Sequence, residues 1–348
     1  MRGAGSGRTI AVACQTHTHN QTDNCHERRQ ARRTGFARKP SEAMEQKAVK
    51  GTSRPPINLV NAMSVDVEEH FQVSAFESAI DRADWDTIPS RVQANTDRIL
   101  QLFDDRGVSA TFFVLGWIAE RYPGLIRRIQ AAGHEVASHG FSHIRATTQQ
   151  PDEFRRDVGN TKKLLEDVSG NAVKGFRAAS FSISEANLWA LDVLEDVGYQ
   201  YSSSIYPIHH DTYGMPTAPR FAFRAGGGSF LEIPVSTVKV LNKNFPCGGG
   251  GYFRLLPYAY FRWALNRVTQ REGQPVVFYF HHWEIDPRQP KQTGLSIKTR
   301  LRHYTNLHRM EARLDRLLGE FRWNRMDRIF LDSSETTREL AAKDRQSA

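Results

Sequence analysis

Between Val60 and about residue 205 the chain alternates, without a break, between short apolar runs and longer stretches with apolar residues three and four apart. "NLVNAMSVDV", "SATFFVLG", "EVASHG", "AVKGFRAAS" and "YQYSSSI" have strand length. They are separated by helical patterns: "RVQANTDRILQLFDDRG", "PGLIRRIQAAGH", "PDEFRRDVGNTKKLLEDVSG" and the Ser-capped "SEANLWALDVLEDVG". Pro123 opens one of these helices, and Gly107 and Gly133 stand where helices end. A strand, a helix and another strand in succession predict an α/β fold, a parallel sheet or barrel with helices outside. Reactive groups in such folds gather at the C-terminal ends of the strands.

Beyond residue 205 the rhythm loosens. "FLEIPVSTVKVL" is a strand candidate, "PCGGGGYFRLLP" a glycine-rich loop and "YAYFRWALNRVTQREG" a helix. "PVVFYFHHWEID" predicts a strand ending in histidines and acids, and "RHYTNLHRMEARLDRLLGEF" one more amphipathic helix.

Charge divides the chain differently. The net charge is +9, but residues 1–57 hold eleven Lys/Arg against four Asp/Glu, which leaves about +2 for everything after them. A near-neutral body argues against a nucleic-acid binder. The first 57 residues lack hydrophobic periodicity and end in "SRPP", so they are expected to be a disordered basic extension, or to reflect a start at Met44 or Met63. Residues 336–348 are read as a tail. Hydrophobic residues at 39% are ample for a core in the rest. Cys14, His17, His19, Cys25 and His26 fit no zinc spacing and are read as part of the extension. No apolar run approaches the ~18 residues of a membrane span, and "TIAVAC" is short for a signal peptide. The expected location is the cytoplasm, with the basic extension able to reach anionic lipid at the inner membrane face.

Three strand ends carry chemistry. In "SVDVEEHF" the period of two sends Asp66 and Glu68 to one side, with Glu69 and His70 as supporting candidates. "SHGFSH" places His139 and His143 four apart, a spacing that on a helical turn suits two ligands of one metal ion. One acid can complete such a set while the other takes a proton from water made acidic by the metal. Arg177, after the strand in "GFRAAS", can orient a carboxylate base. His281 and His282 close another strand, where a general acid is useful. Tyr252, in the glycine-rich segment, offers a face for stacking a sugar, and Trp283 can wall a small acyl pocket or fill core. His134 is expected to be structural at a strand entry. His209 to Asp211 is a weaker second metal candidate.

Five pieces in order resemble the polysaccharide deacetylase family (NodB homology, carbohydrate esterase family 4), in the branch associated with exopolysaccharide and exosortase gene clusters. They are "SVDVEEHF", "GVSATFFVLGWIAERYPGLIRRIQAAGHEVASHGFSH", "GFRAASFSIS", "GYQYSSSIYP" and "VVFYFHHWEID", and the resemblance spans residues 58–335, with 205–335 as the family-specific C-terminal part. It implies a deformed, incomplete (β/α) barrel with a C-terminal extension. It also implies a divalent metal, zinc or else cobalt or manganese, and hydrolysis of acetyl groups on a bacterial polysaccharide or its lipid-linked precursor. Carried over, Glu68, His139 and His143 would hold the metal, Asp66 would be the base and Arg177 its tether. A backbone N–H near Ser180 would bind the oxyanion, and His281 would protonate the leaving amine. Val67 separates acids that are adjacent in many members, so Glu69 competes with Glu68. Gly140, Ala179 and His282 also depart from the common pattern. Two other functions compete: hydrolysis of a non-sugar amide on the same fold, and a catalytically degenerate carbohydrate-binding protein.

Overall fold

In the computed structural model of the chain, residues 59–225 and 229–332 are described. The expected basic extension, its Cys/His cluster and the C-terminal tail lie outside the described residues.

The first half alternates as its periodicity predicts. In chain order come β1 (Val60–Val67), α1 (Val92–Asp105), β2 (Thr111–Val114), α2 (Gly116–Arg121), α3 (Pro123–Ala131), β3 (Glu135–Ser138) and α4 (Pro151–Ser169). These are followed by β4 (Gly175–Phe176), α5 (Trp189–Val197) and β5 (Tyr201–Ser202). The second half supplies β6 (Phe223–Arg224), β7 (Leu231–Glu232), β8 (Thr237–Val240), β9 (Lys243–Pro246), α6 (Gly250–Leu255) and α7 (Tyr258–Asn266). It closes with β10 (Val277–His281), α8 (Ile297–Tyr304), α9 (Leu307–Glu320), β11 (Arg322–Asn324) and α10 (Met326–Phe330).

One sheet runs β10-β1-β2-β3-β4-β5-β7-β6, with β11 added to β1. Its ladders are parallel except β6–β7, and it curls into an incomplete barrel with helices outside, the fold class expected. β1 lies one strand in from the β10 edge, pairs with β10, β2 and β11, and is buried along nearly its whole length. Its polar residues are satisfied by the neighbouring strands: Val276 N–H donates to Asn61 Oδ1 at 2.9 Å, and Ser64 Oγ donates to the Phe278 carbonyl at 3.0 Å. Apolar side chains from strands and helices, among them Val65, Phe103, Phe112, Phe280 and Leu314, merge into a single main core.

Departures from the sequence expectations have local causes. The "GFRAAS" and "YQYSSSI" strands pair over only two residues each, and a side chain at Gly175 would collide with the Tyr201 ring that crosses it. "FLEIPVSTVKVL" divides at Pro234, which has no N–H for a ladder. β7 therefore stays in the main sheet while β8 leaves it to pair with β9. The expected C-terminal helix is two helices, α8 and α9, separated at Asn306, whose φ of 58° is left-handed. The glycine segment is no open loop. Tyr279 N–H donates to the Gly248 carbonyl at 2.7 Å, and a Cβ on Gly248 would strike the Val277 carbonyl, so this backbone lies directly against β10.

Candidate active site

The C-terminal ends of β1, β3, β4 and β10 converge on a cavity of about 430 Å³. Its lining includes Asp66, Glu68, His139, His143, Ser180, Tyr252, His281 and Trp283. Arg177 lies behind Asp66, fully buried. Nine of the residues singled out in the sequence, these eight and Arg177, thus meet at one place.

The parallel ladder sets part of the geometry. Asp66 of β1 is the register partner of His281 of β10, so the two side chains leave the sheet at one level. Arg177 Nη1 donates to Asp66 Oδ1 at 2.6 Å. Its Nε and Nη2 are held by the Ser203 carbonyl and hydroxyl, both at 3.1 Å, and its guanidinium lies over the Phe113 ring. A planar fork fixed at three points leaves Asp66 one free oxygen, Oδ2, which is 3.9 Å from His281 Nε2.

Glu68 stands just beyond β1, with Oε2 2.8 Å from His143 Nε2 and 3.8 Å from His139 Nε2. A helical turn does not bring the imidazoles together. Gly140 and His143 both have positive φ, 74° and 53°, and Asp157 anchors the loop by accepting from Phe141 N–H at 3.0 Å. Burial alone would raise the Glu68 carboxyl, but the charge of His143 and the close approach of both imidazoles hold it well below the usual carboxylate range. His139 Nδ1–H donates to the Arg177 carbonyl at 2.8 Å, which leaves its Nε2 lone pair for the site. Glu69 turns away. Its carboxylate accepts from the Arg91 and Val92 N–H groups and from Ser90, capping α1 from outside the helix.

The donor set fits a divalent transition metal. One ligand atom from each of Glu68, His139 and His143 falls within 4.8 Å of the others, all three side chains are buried, and Glu68 Oε2 has no hydrogen bond of good geometry despite its short approach to His143. Two imidazole nitrogens and a carboxylate, open on the cavity side, are the ligands such an ion takes.

His281 keeps a fifth of its side chain exposed at the cavity, at 21%. Its Nδ1 is 3.0 Å from Glu284 Oε1 and its ring stacks on Trp283. Burial pulls this imidazole down, but the Glu284 hydrogen bond and the charges of Glu68, Glu284 and Asp66 push it up to about 9. Glu284 is in turn held at about 2, burial being outweighed by Arg254 and His281. His282, the rival candidate, is fully buried with Nε2 2.6 Å from the Glu68 carbonyl, and burial lowers it to about 4.

Glu284 and Arg254 are the residues that sequence reasoning missed. The i, i+3 spacing of His281 and Glu284 was the available signal; Arg254 follows Tyr252 in a segment read as loop. Arg254 Nε donates to Glu284 at 2.5 Å, and its other nitrogens hold the carbonyls of Arg302, His303 and Thr305. Near Ser180 two consecutive residues have left-handed backbone, with φ of 54° and 50°, a strained turn of the kind found at functional sites. The Phe181 and Ser182 N–H groups are already spent on the Ala178 and Ala179 carbonyls. His209 to Asp211 is no metal centre: Asp211 is paired with Lys298 and Arg302, and His210 stacks on Tyr213. His134 accepts from Ala110 N–H at 3.1 Å at the entry to β3.

Family matches cover the part of this site that follows residue 84, not Asp66 and Glu68. Residues 84–202 match the family described as polysaccharide deacetylase, and residues 203–331 match a domain of unknown function, DUF3473. The chain is 35% identical over 98 residues to a Bacillus cereus peptidoglycan-N-acetylglucosamine deacetylase, covering 28% of this chain and 36% of that protein. It is 29% identical over 144 residues to a Rhizobium leguminosarum bv. trifolii chitooligosaccharide deacetylase, covering 41% and 60%. It thus spans about a third to three-fifths of these relatives. Among solved structures, a Mycobacterium smegmatis protein described as a candidate polysaccharide deacetylase superposes with a TM-score of 0.51 at 22% identity, covering 74% of this chain and 82% of that one. The fold is therefore shared, and residues 84–202 carry a polysaccharide deacetylase domain of NodB-homology type, followed by a DUF3473 segment.

Proposed function

We propose that the chain is a metal-dependent hydrolase that removes N-acetyl groups, or O-acetyl groups, from a bacterial polysaccharide or its lipid-linked precursor. The observation that carries this reading is the meeting, in one cavity, of a tethered carboxylate (Asp66) and an imidazole backed by an acid (His281), beside the Glu68–His139–His143 cluster. Glu68, His139 and His143 would hold zinc, cobalt or manganese. A divalent ion there would polarise the acyl carbonyl and acidify water.

The chain's own residues do the rest. Asp66 Oδ2, the oxygen that Arg177 leaves free, takes the proton of the water attacking the acyl carbon. The Ser180 N–H of the left-handed turn would donate to the carbonyl oxygen as it gains charge. His281 Nε2 then gives a proton to the sugar nitrogen as the C–N bond breaks, releasing acetate and a free amine. Tyr252 and Trp283 position the sugar and its acetyl group. Asp66 and His281 come from opposite ends of the chain, which supports taking residues 58–335 as one catalytic unit. The complete set of groups argues against a degenerate binder.

Among the described residues no helix is long and apolar enough to cross a membrane; a cytoplasmic site of action at the inner membrane face belongs to the same proposal. The test is acetate release from N-acetylated chito-oligomers and from acetylated exopolysaccharide. Activity lost on chelation and restored by zinc or cobalt is expected. Chelator-resistant turnover, or no acetate from any acetylated glycan while a cyclic or formyl amide is hydrolysed, would overturn it.

A further inference from the structure

Helix α8 is inside out for a helix that only covers a core. An amphipathic surface helix turns its apolar stripe inward. Here the inward residue is His303, buried, stacked on Trp283 with ring centroids 4.3 Å apart and with Nε2 2.7 Å from Gln289 Oε1. The aliphatic residues point the other way: Ile297 is 79% exposed and Leu301, one turn on, 61%. They border a shallow groove of about 390 Å³ shared with Lys291 and Arg300. From Pro287 to Met310 the chain carries six Lys/Arg and not one Asp or Glu. Two of these, Lys298 and Arg302, are engaged by Asp211 at the cavity mouth, whereas Lys291 and Arg300 form no ion pair among the described residues.

We propose that α8 and the loop before it form a docking face for the surface of an anionic lipid bilayer, with Ile297 and Leu301 entering the boundary between headgroups and acyl chains. Exposed aliphatic residues one turn apart, flanked by cations, are the pattern of an interfacial helix, and each cation near an anionic leaflet adds attraction. An acidic glycan would answer the cations but leave both aliphatic side chains in water. The helix is held rigidly for this task, because Arg254 grips the carbonyls at its C-terminal end. Lys298, Thr299 and Arg302 line the catalytic cavity, so docking by the opposite side of α8 sets the cavity mouth beside the lipid surface. The face stands independently of the deacetylase reading, and its test reads binding rather than turnover.

The experiment is cosedimentation of the full chain with phosphatidylcholine vesicles that contain or lack phosphatidylglycerol, at low and at high salt. Pelleting with the anionic vesicles only, weakening as salt rises, is expected. Ile297→Ser/Leu301→Ser should weaken it by about tenfold or more, and Lys291→Glu/Arg300→Glu should weaken it and flatten the salt dependence. Thermal melting and acetate release from soluble chito-oligomers should match wild type in both variants, since none of the four residues lines the catalytic cavity. Absence of pelleting overturns the proposal. So does pelleting of both variants at the wild-type level, the result expected if residues 1–57 carry the attraction alone.

Discussion

Two glutamates, Glu68 and Glu135, are buried at opposite ends of the same sheet, with 1% and 4% of their surface exposed. Their environments drive them apart. Glu68 faces imidazoles and is held ionised. Glu135, at the entry to β3, is pushed up to about 7, by burial first and by the Asp327 carboxylate second. It accepts from the Thr111 hydroxyl at 2.5 Å, the Tyr201 hydroxyl at 3.0 Å and the Asp327 N–H at 3.2 Å, pinning α10 to the floor of the barrel. Burial therefore does not mark a functional acid. The sign of its neighbours and its access to the cavity do.

The sharpest way to break this contrast is to neutralise acids at each end. Asp66→Asn, beside Glu68, should lower acetate release by about 10²–10⁴-fold with metal content close to wild type, and should also lower the melting temperature, because Arg177 loses its buried counter-charge. Glu135→Gln should leave kcat/KM unchanged. Loss of turnover in Glu135→Gln would dissolve the distinction.

Next in size is the buried ion pair behind the acid. Arg254→Met strands the Glu284 carboxylate and should cost about 3–5 kcal/mol in urea unfolding. The Arg254→Met/Glu284→Gln double variant should regain much of that stability but not the activity. Equal destabilisation of the two would mean that Arg254 acts through its backbone contacts to α8 instead.

Smaller effects come from pH. Between its ordinary value near 4.5 and about 7, folded Glu135 keeps a proton that the unfolded chain gives up. Stability from this group therefore falls as pH rises through that window, by on the order of 2 kcal/mol. Glu135→Gln should remove that slope from the stability-versus-pH curve. An unchanged slope would place the effect elsewhere.

The smallest expected signal is the opposing slope of its neighbour. His134 is lowered to about 4 by burial and by Arg325, so the unfolded chain binds the extra proton between about 4 and 6.5. Its contribution is complete above 6.5 and is lost as pH falls toward 4. His134→Asn, which can still accept from Ala110 N–H, should flatten the acid limb while Glu135→Gln steepens it. Two variants bending the same way would refute the pairing.

How much of this was legible depended on whether the signal was local. β1, β2, β3 and their helices follow from apolar period, Pro123 and the terminal glycines, all within a dozen residues. Asp66, His139, His143 and Arg177 were visible because each stands in or just past the end of a recognisable strand. Glu68 and Glu69 could not be separated by spacing, because what divides them is distant: the start of α1, more than twenty residues on, claims Glu69. Arg254 was invisible for the same reason, since its partners lie thirty to fifty residues away. The break at Asn306 was hidden by an apolar period that continues on both sides of it.

The pairing of Asp66 with His281 across the β1–β10 ladder has a consequence for how the molecule can change. Because side chains alternate along a strand, a shift of one residue in β10 would exchange His281 for His282 at the cavity. The newcomer would be an imidazole in the same place but without Glu284 on its far nitrogen. Histidine chemistry would survive such a slip on paper and fail in practice. Insertions should therefore be tolerated in the loops around this site and not within residues 277–281, where the sheet serves as a ruler.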